Sequence, residues 1–147
     1  MTEPRIYLRS IHLERFGRFH DTVVGPFGDR MNIVLGANEA GKTTVASFVG
    51  GVLFGWEEAR GNRNTYKPEG AERAGSLLFA RSAGADASAR EDEETFVLSR
   101  ARNADGLQGD TFLVEDIDKD TYRTMFSLNS DELRSLRNTT DTTAKLL

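Results

Sequence analysis

Gly36-Ala37-Asn38-Glu39-Ala40-Gly41-Lys42-Thr43 matches the pattern G-x-x-x-x-G-K-[ST] at every fixed position, and that leaves the chain few architectures. The stretch must join a strand to a helix. Gly36 and Gly41 permit backbone angles that let successive N–H groups converge on phosphate oxygens, and a helix starting near Lys42 adds its positive dipole end. Lys42 then reaches the β- and γ-phosphates, the Thr43 hydroxyl ligates Mg2+, and Thr44 offers a hydroxyl near the α-phosphate. A chain of this size matches by accident well under ~1% of the time. The expected ligands are ATP and Mg2+, held by Gly36, Ala37, Asn38, Glu39, Ala40, Gly41, Lys42, Thr43 and Thr44.

The flanks suit that mechanism. Met31 to Leu35 is a short apolar run, expected to be a buried strand, and Val45, Phe48, Val49, Val52 and Leu53 form one apolar helix face that Gly55 ends. Upstream, Ile6 and Leu8 sit on one phase and Ile11 and Leu13 on the other. Two strand pieces joined by a bulge near Ser10 are expected there, followed by a turn at Gly17, a strand over Thr22 to Val24 and a break at Gly25-Pro26. Downstream, Ser76 to Ala80 and Thr95 to Ala101 are expected strands, the second with one wet face. Asp105-Gly106 invites a hairpin into a strand over Thr111 to Val114, and Asp118 or Asp120 can cap a helix over Tyr122 to Phe126. Ser130 with Asp131 can cap another.

Composition narrows the chemistry. The 147 residues suit one domain, expected over 1–147, and with no cysteine they exclude thiol catalysis, cysteine-based zinc sites and iron–sulfur clusters. His12 and His20 are isolated. The N-terminus lacks a secretory pattern and Val45 to Trp56 is too short and glycine-rich to span a membrane, so a cytoplasmic location without membrane partners is expected. Residues 1–81 hold 11 Lys and Arg against 9 Asp and Glu, whereas residues 82–147 hold 8 against 14. That asymmetry permits an anionic partner on the first half only and is too small to argue nucleic-acid binding by itself.

Beyond the loop, Leu13-Glu14-Arg15-Phe16-Gly17-Arg18-Phe19, Asn32 to Thr44, Leu53-Phe54-Gly55, Tyr66-Lys67-Pro68 and Tyr122-Arg123-Thr124-Met125-Phe126-Ser127-Leu128 together resemble the amino-terminal start of SMC-like ATPases of the SbcC, RecF and YhaN type, and above all the YhaN-like AAA family. The resemblance implies an α/β fold, the N-terminal lobe of an ABC/SMC-type P-loop NTPase head with an antiparallel β portion, as a fragment of a longer protein with a coiled coil. It implies ATPase activity in that full-length protein, a partner in the C-terminal half of its own head, a head-to-head dimer with ATP, contacts with DNA and a nuclease subunit, and a role in DNA repair or chromosome maintenance. The Walker B acids, signature segment and switch histidine of such heads lie beyond the coiled coil. No catalytic residue is therefore assigned here.

Phe112-Leu113-Val114-Glu115-Asp116 mimics Walker B, but a strand end followed by acids near a helix start accounts for it equally. The Q-loop glutamine that such heads carry to sense Mg2+ and the attacking water is missing from the matching stretch, Ser127 to Leu133, where either Asn129 or Ser130 stands in for it or the sensing is lost. Arg60, Arg63, Lys67 and Arg73 are candidate DNA contacts, diluted by Glu57, Glu58, Glu69 and Glu72. Arg15 and Arg18 are candidates to approach the nucleotide. Two other functions remain open: a small P-loop kinase, which requires strands alternating with helices, and a non-hydrolysing nucleotide-dependent interaction module.

Overall fold

β1 (Ile6–Phe16) carries apolar residues in two phases, and a strand can present both to one core only if its register shifts. It does so twice. In the computed structural model, which describes residues 5–37, 41–57, 65–82, 93–101 and 106–122, the ladder between β1 and β3 (Ala74–Arg81) is irregular between Leu8 and Ser10 and again between Leu13 and Arg15. The first irregularity falls at the expected bulge. The second was not apparent in the sequence, and it puts Phe16 on the same buried face as Ile11 and Leu13.

The chain divides into two units, Met1–Leu113 and Val114–Leu147. In the first, β1, β2 (Phe19–Val24), β3, β4 (Thr95–Arg100) and the two-residue β5 (Gln108–Gly109) form a sheet of order β2-β1-β3-β4-β5. Every pairing in it is antiparallel. That agrees with the antiparallel portion expected of an ABC/SMC-type N-lobe, and the described residues lack the strand–helix alternation a small kinase needs. In β4, Phe96 and Leu98 are buried while Thr95 and Val97 are exposed, which is the one-sided wetting its alternation implied.

The helix α1 (Lys42–Phe54) lies against the sheet through Phe48 and Val52, both fully buried, with Ile11, Leu13, Phe16, Trp56 and Leu77. Phe16 meets Phe48 edge-on at 5.2 Å and stacks on Tyr66 at 5.0 Å. Gly75 makes the close approach possible, because a Cβ there would run into the Phe48 ring and the His12 carbonyl. The end of α1 has no basic residue of its own, and Arg100 from β4 donates to the Val52 carbonyl at 2.9 Å. Burial pushes the Arg100 guanidinium below its ordinary pKa.

Two expected strands are corrected. Residues 31–37 join no strand ladder, and Met31, Ile33, Val34 and Leu35 are 87%, 71%, 51% and 87% exposed. Asn32 holds the segment locally instead, accepting from the Gly28 N–H and donating to the Gly28 and Arg30 carbonyls, each at 2.9 Å. Thr111–Val114 is a 3-10 turn. The ladder stops because Gly109 takes φ 99° and the Asp110 carboxylate turns back to accept from the Val97 N–H at 2.8 Å.

In the second unit, Asp118 caps the short helix α2 (Lys119–Thr121), accepting from the Thr121 N–H at 2.7 Å. That hydrogen bond holds the Asp118 carboxyl below its usual pKa. The Ser130 cap lies outside the described residues. No helix among the described residues is long and apolar enough to cross a membrane.

Candidate functional site

Gly41 is the N-cap of α1 and takes φ 97°, ψ 20°, the left-handed region that costs glycine little. Space forbids a side chain there as well. A Cβ on Gly41 would come within 2.6 Å of the Phe19 ring and 3.3 Å of Arg18 Nη2. Its carbonyl accepts from the Val45 N–H at 3.0 Å and opens the helix. Lys42, exposed, reaches back along the loop and donates from Nζ to the Gly36 carbonyl at 2.5 Å. Thr43 is exposed and Thr44 half-buried on the first turn. Gly41, Lys42, Thr43 and Thr44 thus stand at the start of one 13-residue helix with Gly36 tied to it through Lys42, Ala37 is exposed, and Asn38, Glu39 and Ala40 lie outside the described residues.

The turn between β1 and β2 sits beside this loop. Gly17 takes φ 58°, its N–H donates to the Tyr66 carbonyl at 2.6 Å, and the Thr44 methyl lies 3.3 Å from where a Gly17 Cβ would be. Phe16 pairs with Phe19 across the turn. Residues far apart in sequence thereby form one wall along the first turn of α1. The chain's loop glycines, Lys42 and hydroxyls are the donor set that a nucleotide phosphate and Mg2+ require.

The candidate DNA contacts separate. Arg73 is corrected: it is 4% exposed and its Nη1 donates to the Glu57 carbonyl at 2.6 Å and the Thr65 carbonyl at 2.8 Å. Its guanidinium also lies 5.7 Å from the Trp56 ring centroid, and burial pushes its pKa down. It clamps two backbone segments and presents no charge to a partner. Lys67 is half exposed and pairs with Glu72 at 2.7 Å. Arg60, Arg63, Asn129 and Ser130 lie outside the described residues.

Arg15, Lys67, Gly70, Ala71, Glu72 and Ala101 line an open hollow of about 470 Å³, and none of the described phosphate-loop residues is among them. The acids of the Walker B mimic, Glu115 and Asp116, follow a 3-10 turn and do not end a strand. Among the described residues no cluster of three or more His, Asp or Glu is arranged to hold a metal.

Comparison with known proteins decides the family: the AAA domain matches residues 6–140. The chain belongs to the AAA domain family. The uncharacterized protein YhaN of Bacillus subtilis (strain 168) is 32% identical over 80 residues, which are 54% of this chain and 8% of that protein. The chain therefore spans less than a tenth of that relative's length. No solved structure gives a significant match. Membership of the AAA domain family implies nucleotide binding in general terms, and the resemblance to YhaN-type proteins stands.

The sequence did not single out Phe19, whose ring packs on Gly41, or Arg100, which caps α1 from another strand. Phe19 closes the Phe16-Gly17-Arg18-Phe19 turn, and an aromatic on each side of a glycine turn was the available signal. Nothing local marks Arg100.

Proposed function

We propose that this chain is the N-terminal half of an ABC/SMC-like ATPase head that binds ATP·Mg2+ through Gly36–Thr44. The observation that carries the reading is Gly41, held left-handed at the start of α1 with Lys42 folded across the loop onto the Gly36 carbonyl. A phosphate would replace that carbonyl as the partner of Lys42, and the N–H groups of the first helical turn are free of intrahelical acceptors. Mg2+, when bound through the Thr43 hydroxyl, neutralises phosphate charge.

The partner in this reading is the C-terminal half of the same head. Its support is the exposed apolar segment over residues 31–35, which needs neighbouring strands to be buried. Head-to-head dimerisation with ATP, DNA contact through Arg60, Arg63 and Lys67, a nuclease subunit, a role in DNA repair or chromosome maintenance and a cytoplasmic location belong to the same proposal.

In this reading the opposing clamp and the base that stabilise the transferring phosphate come from the C-terminal half and a second head. Titration of labelled ATP·Mg2+ should give an affinity that Lys42→Ala lowers ten- to a hundredfold, the loss of one charge-assisted contact. The 147-residue chain should hydrolyse ATP no faster than Lys42→Ala until the C-terminal half of its parent is added. Unchanged affinity in Lys42→Ala sinks the phosphate-loop assignment. Binding without turnover even with both halves present favours the interaction module.

A further inference from the structure

The tip of the β1–β2 turn brings a second cation to the phosphate loop. Gly17 makes the turn tight, the Phe16–Phe19 pair closes it, and Arg18 is left exposed with its guanidinium 5.5 Å from the Phe19 ring centroid. Phe19 in turn abuts Gly41, and Arg18 Nη2 lies 3.3 Å from the place of a Gly41 Cβ. The guanidinium therefore stands where the loop enters α1.

Electrostatics makes this an unfavourable place for an arginine alone. The N-terminus of a helix carries partial positive charge and disfavours cations, and Lys42 already adds one. The first turn of α1 holds no acidic residue, and among the described residues no carboxylate forms an ion pair with Arg18. Arg18 stands beside Gly41 at the start of α1, Lys42 opens that helix, and Arg18 has no described counter-charge, so the arrangement suits an anion of more than one charge. Arg15, three residues before Arg18, serves as the contrast: it lines the hollow with Lys67 and Glu72.

We propose that Arg18 is a second phosphate-binding residue, its guanidinium carried on Phe19 beside Gly41 to pair, alongside Lys42, with the polyphosphate of a nucleoside di- or triphosphate. The inference rests on the nucleotide-binding reading above and adds a residue to it. Arginine suits the role because its planar fork gives two parallel donors to phosphate oxygens.

The test is a titration of ATP, ADP and inorganic tripolyphosphate against the parent chain, Arg18→Ala, Arg18→Lys and Lys42→Ala at two salt concentrations. Arg18→Ala should weaken all three ligands ten- to a hundredfold, with a shallower salt dependence, and Arg18→Lys should recover part of the loss. Because Arg18 is exposed, the variant should fold as the parent does. Parent-like affinity in Arg18→Ala, with Lys42→Ala weakened, overturns the Arg18 assignment and spares the phosphate loop. Loss of ATP affinity with tripolyphosphate binding unchanged also overturns it, since the contact then lies off the phosphates. If Lys42→Ala binds like the parent as well, the phosphate loop and Arg18 fall together.

Discussion

β1 and the segment over residues 31–35 are similarly rich in apolar residues, yet they end in opposite environments. In β1, Ile11, Leu13 and Phe16 are buried between β2 and β3 and beneath α1, whereas Met31, Ile33 and Leu35 are each more than two-thirds exposed. The difference is supplied by neighbours. A strand can bury its side chains only where its own N–H and C=O groups are paired on either side, because an unpaired buried amide costs about 1–3 kcal/mol. β1 has a hydrogen-bonded strand on each flank, and residues 31–37 have none among the described residues.

The largest expected effect tests that contrast directly. Leu77→Ala removes a fully buried β3 side chain from the core shared with β1 and α1 and should destabilise the fold by about 2–5 kcal/mol in urea unfolding, while Leu35→Ala should change it by no more than about 0.5 kcal/mol. Equal losses would break the comparison. A smaller effect is expected at Arg73, whose two charge-assisted hydrogen bonds hold the backbone at Glu57 and Thr65. Arg73→Ala should cost about 1.5–3 kcal/mol on the same measurement, and Lys67→Ala, removing an exposed ion pair, no more than about 1 kcal/mol. If the two variants unfold alike, Arg73 is not a clamp.

The smallest effect is local and needs neither burial nor flanking strands. Asp118 is an exposed cap whose pKa in the folded chain is held below its unfolded value of about 3.9 by the Thr121 N–H. Its contribution is therefore complete above that unfolded value and is lost as pH falls through the lower folded one. Amide exchange at Thr121, corrected for its intrinsic pH dependence, should show protection fading on acidification, and Asp118→Asn should remove that dependence. A pH-independent protection in the parent would show that the carboxylate does not hold α2.

Local chemistry explains which expectations held. The bulge near Ser10, the turn at Gly17, the helix from Lys42 to its stop at Gly55 and the Asp118 cap each depend on residues within a few positions of one another. The expected strand over Thr111 to Val114 failed because a side chain, Asp110, took the Val97 N–H that continued pairing would have needed. Arg73 looked like one charge in a solvated loop, and only its burial on Trp56 and between the Glu57 and Thr65 carbonyls makes it structural.

From sequence alone came the Gly36 to Thr43 motif, in which glycines, lysine and threonine stand at fixed spacing, and the family resemblance, which the AAA domain match over residues 6–140 bears out. Tertiary structure decided which arginine stands at that loop. Arg15 and Arg18 flank one glycine and look alike in the chain, but β-strand pairing turns one toward a hollow and the other, on Phe19, toward Gly41. The physical reason is that a side chain's neighbours across a sheet and beneath a helix are set by register and packing, and those depend on residues tens of positions away.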